Sequence, residues 1–317
     1  MPVTALRDQP GVTVRLAVDR FLSSPRCANP NTRRAYASAL DRLADHLGAD
    51  RLLATVASDE LAAALEHLWG QAKPATWNRN RAAVGSWLTW CGRNGYAAPA
   101  LPPAAERRPD HVDETKALTR PAIERLLTRR DIPLRERTLW RMLYETAARA
   151  AEILALNVED LDLAGRRAAV RSKGGATQWV YWASGTAHLL PRLLRLPDGT
   201  ARTHGPLFLS HRRPGPARRP AAKDLCPHTG RARLGYDRAR ILLDHYTSPG
   251  DGRPGWDLHQ LRHSAATHLG EGNVALQLIM AKTRHRNPRT AMRYVKPGAE
   301  AVAEVTELLD VTPRRRG

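Results

Sequence analysis

The sequence predicts a mainly α-helical chain in two domains, with one small β-hairpin in the second. Three observations lead there. Apolar residues recur at three- and four-residue spacing through most of the 317 residues. The period changes to two only near residues 167–182. A proline-rich break at 97–116 separates two stretches, each long enough to bury a core of its own. The expected divisions are a helical domain at 11–96, a linker at 97–116, a larger domain at 117–297, and a C-terminal helix with a basic tail at 298–317.

Charge narrows the partner. Fifty Lys and Arg stand against 31 Asp and Glu, a formal net charge of +19. Such an excess opposes compaction unless a polyanion neutralises it, and its arginine bias favours phosphate through the bidentate fork. Nucleic acid is the expected partner. No apolar run is long enough to span a bilayer, and the first residues lack the apolar core of a signal peptide. A cytoplasmic protein is expected, with no membrane association. Cys27, Cys91 and Cys226 are far apart and outside any C-x-x-C pattern, so they read as idle thiols.

In the first domain, Val14, Leu16, Val18, Phe21 and Leu22 open a helix. Asn31 and Thr32 can cap another through Tyr36, Leu40, Leu43 and Leu47. Ser58 can cap a third through Leu61, Leu65 and Leu68, and a fourth runs from about Ala75 to Arg93. Thr32, Arg33 and Arg34 beside Tyr36, and Lys73, Arg79 and Arg81 beside Trp77, are candidate DNA contacts. The bland reading keeps Trp77 and Trp87 in the core. Pro99, Pro102, Pro103 and Pro109 then stop helix formation and bury little. Two halves on such a tether can close around a duplex.

Thr119 with Pro121 signals the next helix start, and helices follow to Tyr144. In Ala147-Ala-Arg149-Ala-Ala-Glu152, Arg149 has little competing polar company, or else simply pairs with Glu145 or Glu152 at helical spacing. Strands at 167–171 and 178–182 flank Ser172-Lys173-Gly174-Gly175, a hairpin tip whose lysine can enter a groove. Residues 201–240 carry ten Lys or Arg against two Asp. A mobile basic loop at 211–220, with Arg212 and Arg213 as candidate DNA contacts, is expected there. Helical spacing returns from about Arg231 to Tyr246.

The densest chemistry lies at 259–294. A helix from Leu258 puts His259, Arg262 and His263 on one turn, over Leu261, Ala265 and Leu269. Asn273 can cap the next helix, His285 follows its end, and Tyr294 comes nine residues later. Breaking a phosphodiester without metal requires cations at the non-bridging oxygens, an in-line nucleophile and an acid for the leaving oxygen. Arg149 and Arg262 can supply two forks, Tyr294 the nucleophile and Lys173 the acid. His259 and His285 can position the phosphate, and either can exchange a proton with Tyr294. No carboxylate pair with metal-ligand character lies nearby, so no metal or other cofactor is expected.

Taken together, Ala-Ala-Arg149-Ala-Ala-Glu152-Ile, the tip Lys173-Gly, His259-x-x-Arg262-His263, and His285 with Tyr294 nine later resemble the tyrosine recombinases, or phage integrase family. The resemblance covers residues 115–310. It implies a two-domain, C-shaped DNA clamp, with Arg149 and Arg262 as phosphate clamps, Lys173 as general acid, His259 and His285 as the two histidines, and Tyr294 as nucleophile. Glu152 and His263, inside the motifs, are supporting residues. It further implies a 3′-phosphotyrosine intermediate formed without ATP or metal. Strands would then be exchanged through a Holliday junction by a homo-tetramer on double-stranded DNA, from a chain monomeric when free, with the C-terminal helix docking in trans. With no arm-binding segment evident before residue 11, a recombinase without arm-site regulation is expected.

Two departures stand out. Arg284 occupies the place of a common glycine, which puts the local turn geometry in question, and Thr177-Gln178-Trp179 replaces a Lys-x-Arg feature. The rivals are a type IB topoisomerase, a DNA-binding accessory protein with a decayed site, and a zinc site on His259, His263 and His268. The last lacks the glutamate a zinc hydrolase would need, since position 260 is glutamine.

Overall fold

A computed structural model describes residues 11–109, 117–171, 175–216, 220–295 and 306. The chain divides into two compact units, Met1–Val112 and Asp113–Gly317. Among the described residues the architecture is mostly helical, with one three-stranded antiparallel sheet.

The first unit packs α1 (Val14–Leu22), α2 (Pro30–Leu47), α3 (Ser58–Trp69) and α4 (Pro74–Arg93) around a core of Phe21, Leu40, Leu43, Leu61, Leu65 and Trp87. Two helix starts differ from the sequence reading. Asn29 caps α2, accepting from the backbone of Asn31 and Thr32 at 2.9 and 3.3 Å, because Pro30 fits the first helical position. Ser58 is the first residue inside α3 rather than its cap.

The expected linker is a larger departure. Residues 97–109 lie along α4 as a strap instead of burying little. Ala105 is buried, Trp77 Nε1 donates to the Glu106 carbonyl at 2.8 Å, and Asn78 exchanges two hydrogen bonds with the Arg108 backbone at 2.8 and 2.9 Å. The Arg108 guanidinium stacks 3.9 Å from the Trp77 ring centroid. Prolines forbid helix here, but they leave carbonyls free to accept from side chains, and α4 supplies the donors.

In the second unit, α5 (Arg120–Thr128) and α6 (Leu134–Thr146) lead to the short α7 (Ala150–Ala155). Thr119 caps α5, as its sequence suggests. Strands β1 (Leu161–Asp162), β2 (Arg167–Arg171) and β3 (Thr177–Tyr181) pair in that order, with Arg167 opposite Tyr181 and Arg171 opposite Thr177. Ala168, Val170 and Val180 turn to the core, as the period of two requires. Helix α8 (Ser184–Leu194) follows, and the Glu145 carboxylate caps it by accepting from the backbone of Ala183 and Thr186 at 3.0 and 3.1 Å.

Helices α9 (Tyr236–Thr247), α10 (Leu258–Glu271), α11 (Leu276–Thr283) and α12 (Pro288–Ala291) complete the unit, with a 3-10 turn at Met292–Tyr294. Helix α9 starts five residues later than its spacing suggests, because Ala232 and Arg233 form β-bridges instead. Arg233 also ties this segment to α7, donating to the carbonyls of Leu154 and Leu156 and to Asn157. Asn273 does not cap α11. It takes a left-handed conformation, φ 56°, just after α10, and α11 begins at Leu276.

Candidate active site

Residues from three separated stretches meet around Arg262. Asp257 caps α10, accepting from the His259 backbone at 2.7 Å, while Gln260 reaches back to the Asp257 N–H at 2.7 Å. That register turns Arg262 inward, where it is 3% exposed. Its Nη1 donates to the Ala147 carbonyl at 2.5 Å and its Nη2 to the Thr283 carbonyl at 2.7 Å. Ala147 closes α6 in a left-handed conformation and Thr283 ends α11, so one guanidinium joins the ends of two helices. Burial, then the charges of Arg149 and Arg284, pull Arg262 down to about 10, still protonated at neutral pH.

Arg149 stands at the start of α7, and its side chain is 46% exposed. It pairs with Glu152, one of the two partners its spacing allows: Arg149 Nη1 donates to Oε1 and the Arg149 backbone N–H to Oε2, both at 2.9 Å. Burial pushes the Glu152 carboxyl up, but Arg284 and these hydrogen bonds outweigh it and hold the carboxyl below its usual range. The other partner, Glu145, faces Arg141 and α8.

His285 follows α11. Thr283 Oγ1 donates to the Ile279 carbonyl at 2.7 Å, so its only proton is taken; at 2.6 Å it must accept from His285 Nδ1. Nε2 of the neutral ring is therefore bare, and it accepts from Arg262 Nη2 at 3.2 Å. Burial and then Arg262 and Arg149 lower this histidine to about 4. His259 is accessible at the surface, yet crowding of its inner face and the neighbouring Arg262 lower it too.

Tyr294 is 6% exposed and lies between two imidazoles. The His285 ring stacks on it with centroids 5.7 Å apart and planes at 30°, and the His263 ring meets it edge-on at 5.2 Å. Beneath it, Gly270 of α10 is in such close contact with the Tyr294 backbone that any Cβ would overlap the Tyr294 carbonyl. Sequence reasoning passed over Gly270 and Thr283, since neither ionises and each matters only through what it touches.

The structure thus brings together Arg149, Glu152, Arg262, His263, His285 and Tyr294, with His259 beside them. Lys173 lies outside the described residues, as does the C-terminal helix apart from Thr306. The root of the hairpin that carries Lys173 is held by Lys282 Nζ, which donates to the Tyr181 carbonyl at 2.7 Å. His268, third of the proposed zinc ligands, is nine residues from His259 and so on the far side of a helix. Its Nδ1 sits 2.8 Å from the Tyr144 hydroxyl.

Of the candidate DNA contacts, Arg33, Arg34, Lys73, Arg79, Arg212 and Arg213 are exposed and Thr32 is half-buried. Arg81 is different: its Nε donates to the Ala105 carbonyl, so it holds the strap against α4. Trp77, placed on the basic face by its neighbours, is buried. Arg213 Nε bonds the Thr229 carbonyl at 2.8 Å, fastening the start of the basic loop. All three cysteines are free and buried. No helix among the described residues is long and apolar enough to cross a membrane.

Known proteins resemble this chain in sequence and in fold. The phage integrase family matches residues 116–300. A tyrosine recombinase XerC of Pelobacter propionicus is 27% identical over 90% of this chain and 90% of its own length. One from Mycobacterium bovis is 29% identical over 91% and 95%. Among solved structures, the Tn1549 transposon integrase in complex with a circular intermediate DNA superposes with a TM-score of 0.70 at 13% identity, covering 94% of this chain and all of that one. A lambda integrase in a tetramer bound to a Holliday junction gives 0.67 at 16% identity, covering 91% of this chain and 78% of that one. These findings favour recombination over the topoisomerase and decayed-site alternatives. The chain belongs to the phage integrase family, the tyrosine recombinases, and its activity is site-specific DNA strand transfer.

Proposed function

We propose that Tyr294 attacks the scissile phosphodiester and becomes linked to its 3′ phosphate, displacing the 5′ oxygen, which takes a proton from Lys173 and leaves as a hydroxyl. The phosphotyrosine bond keeps the energy of the broken ester, so the 5′ hydroxyl of a partner strand can attack it and reseal the DNA without ATP. Arg149 and Arg262 hold the non-bridging oxygens, where charge gathers in the transition state. Three guanidinia, those of Arg149, Arg262 and Arg284, face one carboxylate, which leaves the site cationic with His259 and His285 neutral.

The observation that carries this reading is the Arg262 cluster. A buried arginine joined to two helix ends is preorganised, so little side-chain entropy is lost when it binds a phosphate. His285 is the histidine whose ring lies against the phenol, so it is the better placed of the two to exchange a proton with Tyr294 once a phosphate draws Arg262 off its Nε2. His259, exposed beside Arg262, positions the phosphate.

The partner is double-stranded DNA, gripped by the exposed basic residues Arg33, Arg34, Lys73, Arg79, Arg212 and Arg213. The working assembly is a homo-tetramer on DNA formed from free monomers in the cytoplasm. Leu278 and Met292, 63% and 58% exposed, are apolar side chains available to a neighbouring copy.

The test is covalent capture. The purified chain is incubated in EDTA with nicked duplexes of random sequence, and DNA that resists separation from denatured protein is sequenced. Recovered duplexes should share a site, and two copies of that site on one plasmid should recombine. Relaxation without exchange between sites would sink the recombinase reading, and loss of adduct on chelation would sink the metal-free route.

A further inference from the structure

Arg284 stands where the family commonly has glycine, and the surrounding structure gives it a task. The turn that would suit glycine is kept: Arg284 has φ 58° and ψ 41°, and its N–H bonds the Met280 carbonyl to close α11. An L side chain in this left-handed conformation is disfavoured. The side chain is also buried, 4% exposed, and its Nε and Nη1 have no hydrogen-bond partner among the described residues. Among the described residues its guanidinium bonds through Nη2 to Glu152 Oε2. A strained backbone, a buried charge and two unpaired donors are each unfavourable, so the pairing with Glu152 is the contact that offsets them.

Glu152 is the carboxylate that holds Arg149, and its side chain is only 8% exposed. With Arg149 as its sole partner, a buried carboxylate would neutralise the guanidinium that the scissile phosphate needs. Arg284 approaches Oε2, the oxygen that also accepts the Arg149 backbone N–H, while Oε1 takes the Arg149 side chain. Glu152 thereby orients Arg149 through one nitrogen while its charge is matched by a second cation.

We infer that Arg284 is a positioning residue for strand cleavage, acting through Glu152 to leave the charge of Arg149 available to the phosphate. This rests on the reading of Arg149 as a phosphate clamp. Arg284→Gly removes the left-handed strain together with the charge, so it separates stability from activity. Arg284→Lys keeps a cation without the fork.

The experiment is a double-mutant cycle of Arg284→Gly with Glu152→Gln in the full-length chain. It is read by single-turnover adduct formation on a nicked duplex of the captured site, by DNA affinity and by thermal midpoint. Arg284→Gly is expected to unfold at or above the wild-type temperature and to bind DNA as tightly. Its adduct formation should slow about 10-fold, and by no more than about 2-fold in the Glu152→Gln background, since a residue acting through its neighbour is non-additive with it. Arg284→Lys should recover part of the rate. Wild-type cleavage by Arg284→Gly, equal losses in both backgrounds, or a loss that follows a lowered midpoint and is not rescued by lysine would each overturn the inference. Arg149→Ala, measured alongside, separates the two claims: if it cleaves normally, the reading of Arg149 fails whatever Arg284 does.

Discussion

Gly270→Ala is the perturbation that most sharply tests how the nucleophile is placed. A Cβ on Gly270 would overlap the Tyr294 carbonyl oxygen and stand 2.8 Å from its carbonyl carbon. Both are main-chain atoms, so no rotamer change relieves the clash. The 3-10 turn at Met292–Tyr294 would have to withdraw by about 1.5 Å to regain van der Waals separation. Helix α10 itself would gain, because alanine is favoured over glycine inside a helix by about 1 kcal/mol. The cost therefore falls on the position of Tyr294, and a misplacement of about 1 Å at a reacting group slows chemistry about 100-fold. Single-turnover adduct formation on a nicked duplex measures this directly, with DNA affinity and thermal midpoint taken on the same preparation. Adduct formation should fall about 100-fold while affinity holds within about 2-fold, since the phosphate contacts are elsewhere. Wild-type cleavage by a fully folded Gly270→Ala protein would refute the reasoning, because the tyrosine would not then be positioned by its contact with α10.

Three further outcomes follow from the geometry. Arg262→Ala should abolish adduct formation and also lower stability by roughly 2–4 kcal/mol in denaturant unfolding, because it leaves the buried carbonyls of Ala147 and Thr283 without their donor. A stability change confined to a few tenths of a kcal/mol would contradict that structural role. His285, lowered to about 4 from its ordinary value, should remain neutral in the folded chain through mildly acidic pH. A depressed folded pKa contributes stability that is complete above about pH 6.5, the unfolded value, and is lost as the pH falls toward 4; an NMR titration of the His285 ring with a midpoint near 6.5 would exclude it. Arg108→Ala should destabilise the first unit by about 1 kcal/mol, through loss of the stack on Trp77, and leave cleavage chemistry on bound DNA unchanged. Unaltered unfolding would mean that the Arg108–Trp77 stack contributes nothing.

The helices were legible because their apolar spacing and breaks are local signals, and the hairpin because the period changes at residue 167. Cap positions slipped by a few residues: Asn29 outcompetes Asn31 and Thr32 at α2 because Pro30 follows it, while α3 and α11 begin after Ala57 and Ala275 with no side-chain cap. The strap at 97–109 was hidden for a different reason. Its prolines argue against a helix but carry no information about which side chains will bind the carbonyls, and those donors, on Trp77, Asn78 and Arg81, lie about thirty residues away. At the site, Arg149, Arg262, His285 and Tyr294 declared themselves by residue type and order. Gly270 and Thr283 did not, since their roles arise only when α10, α11 and the Tyr294 turn are folded together. Arg284 was visible as an oddity, but its partner Glu152 lies 132 residues earlier.

The central claim is that Tyr294 carries the DNA. It is tested most directly by forming the adduct in EDTA, digesting it, and locating the nucleotide-bearing peptide by mass spectrometry. The 3′-phosphonucleotide should lie on Tyr294, and Tyr294→Phe should bind the same duplex without forming an adduct. Attachment at any other residue, Tyr246 or Tyr236 included, or an adduct that survives Tyr294→Phe, would contradict the account.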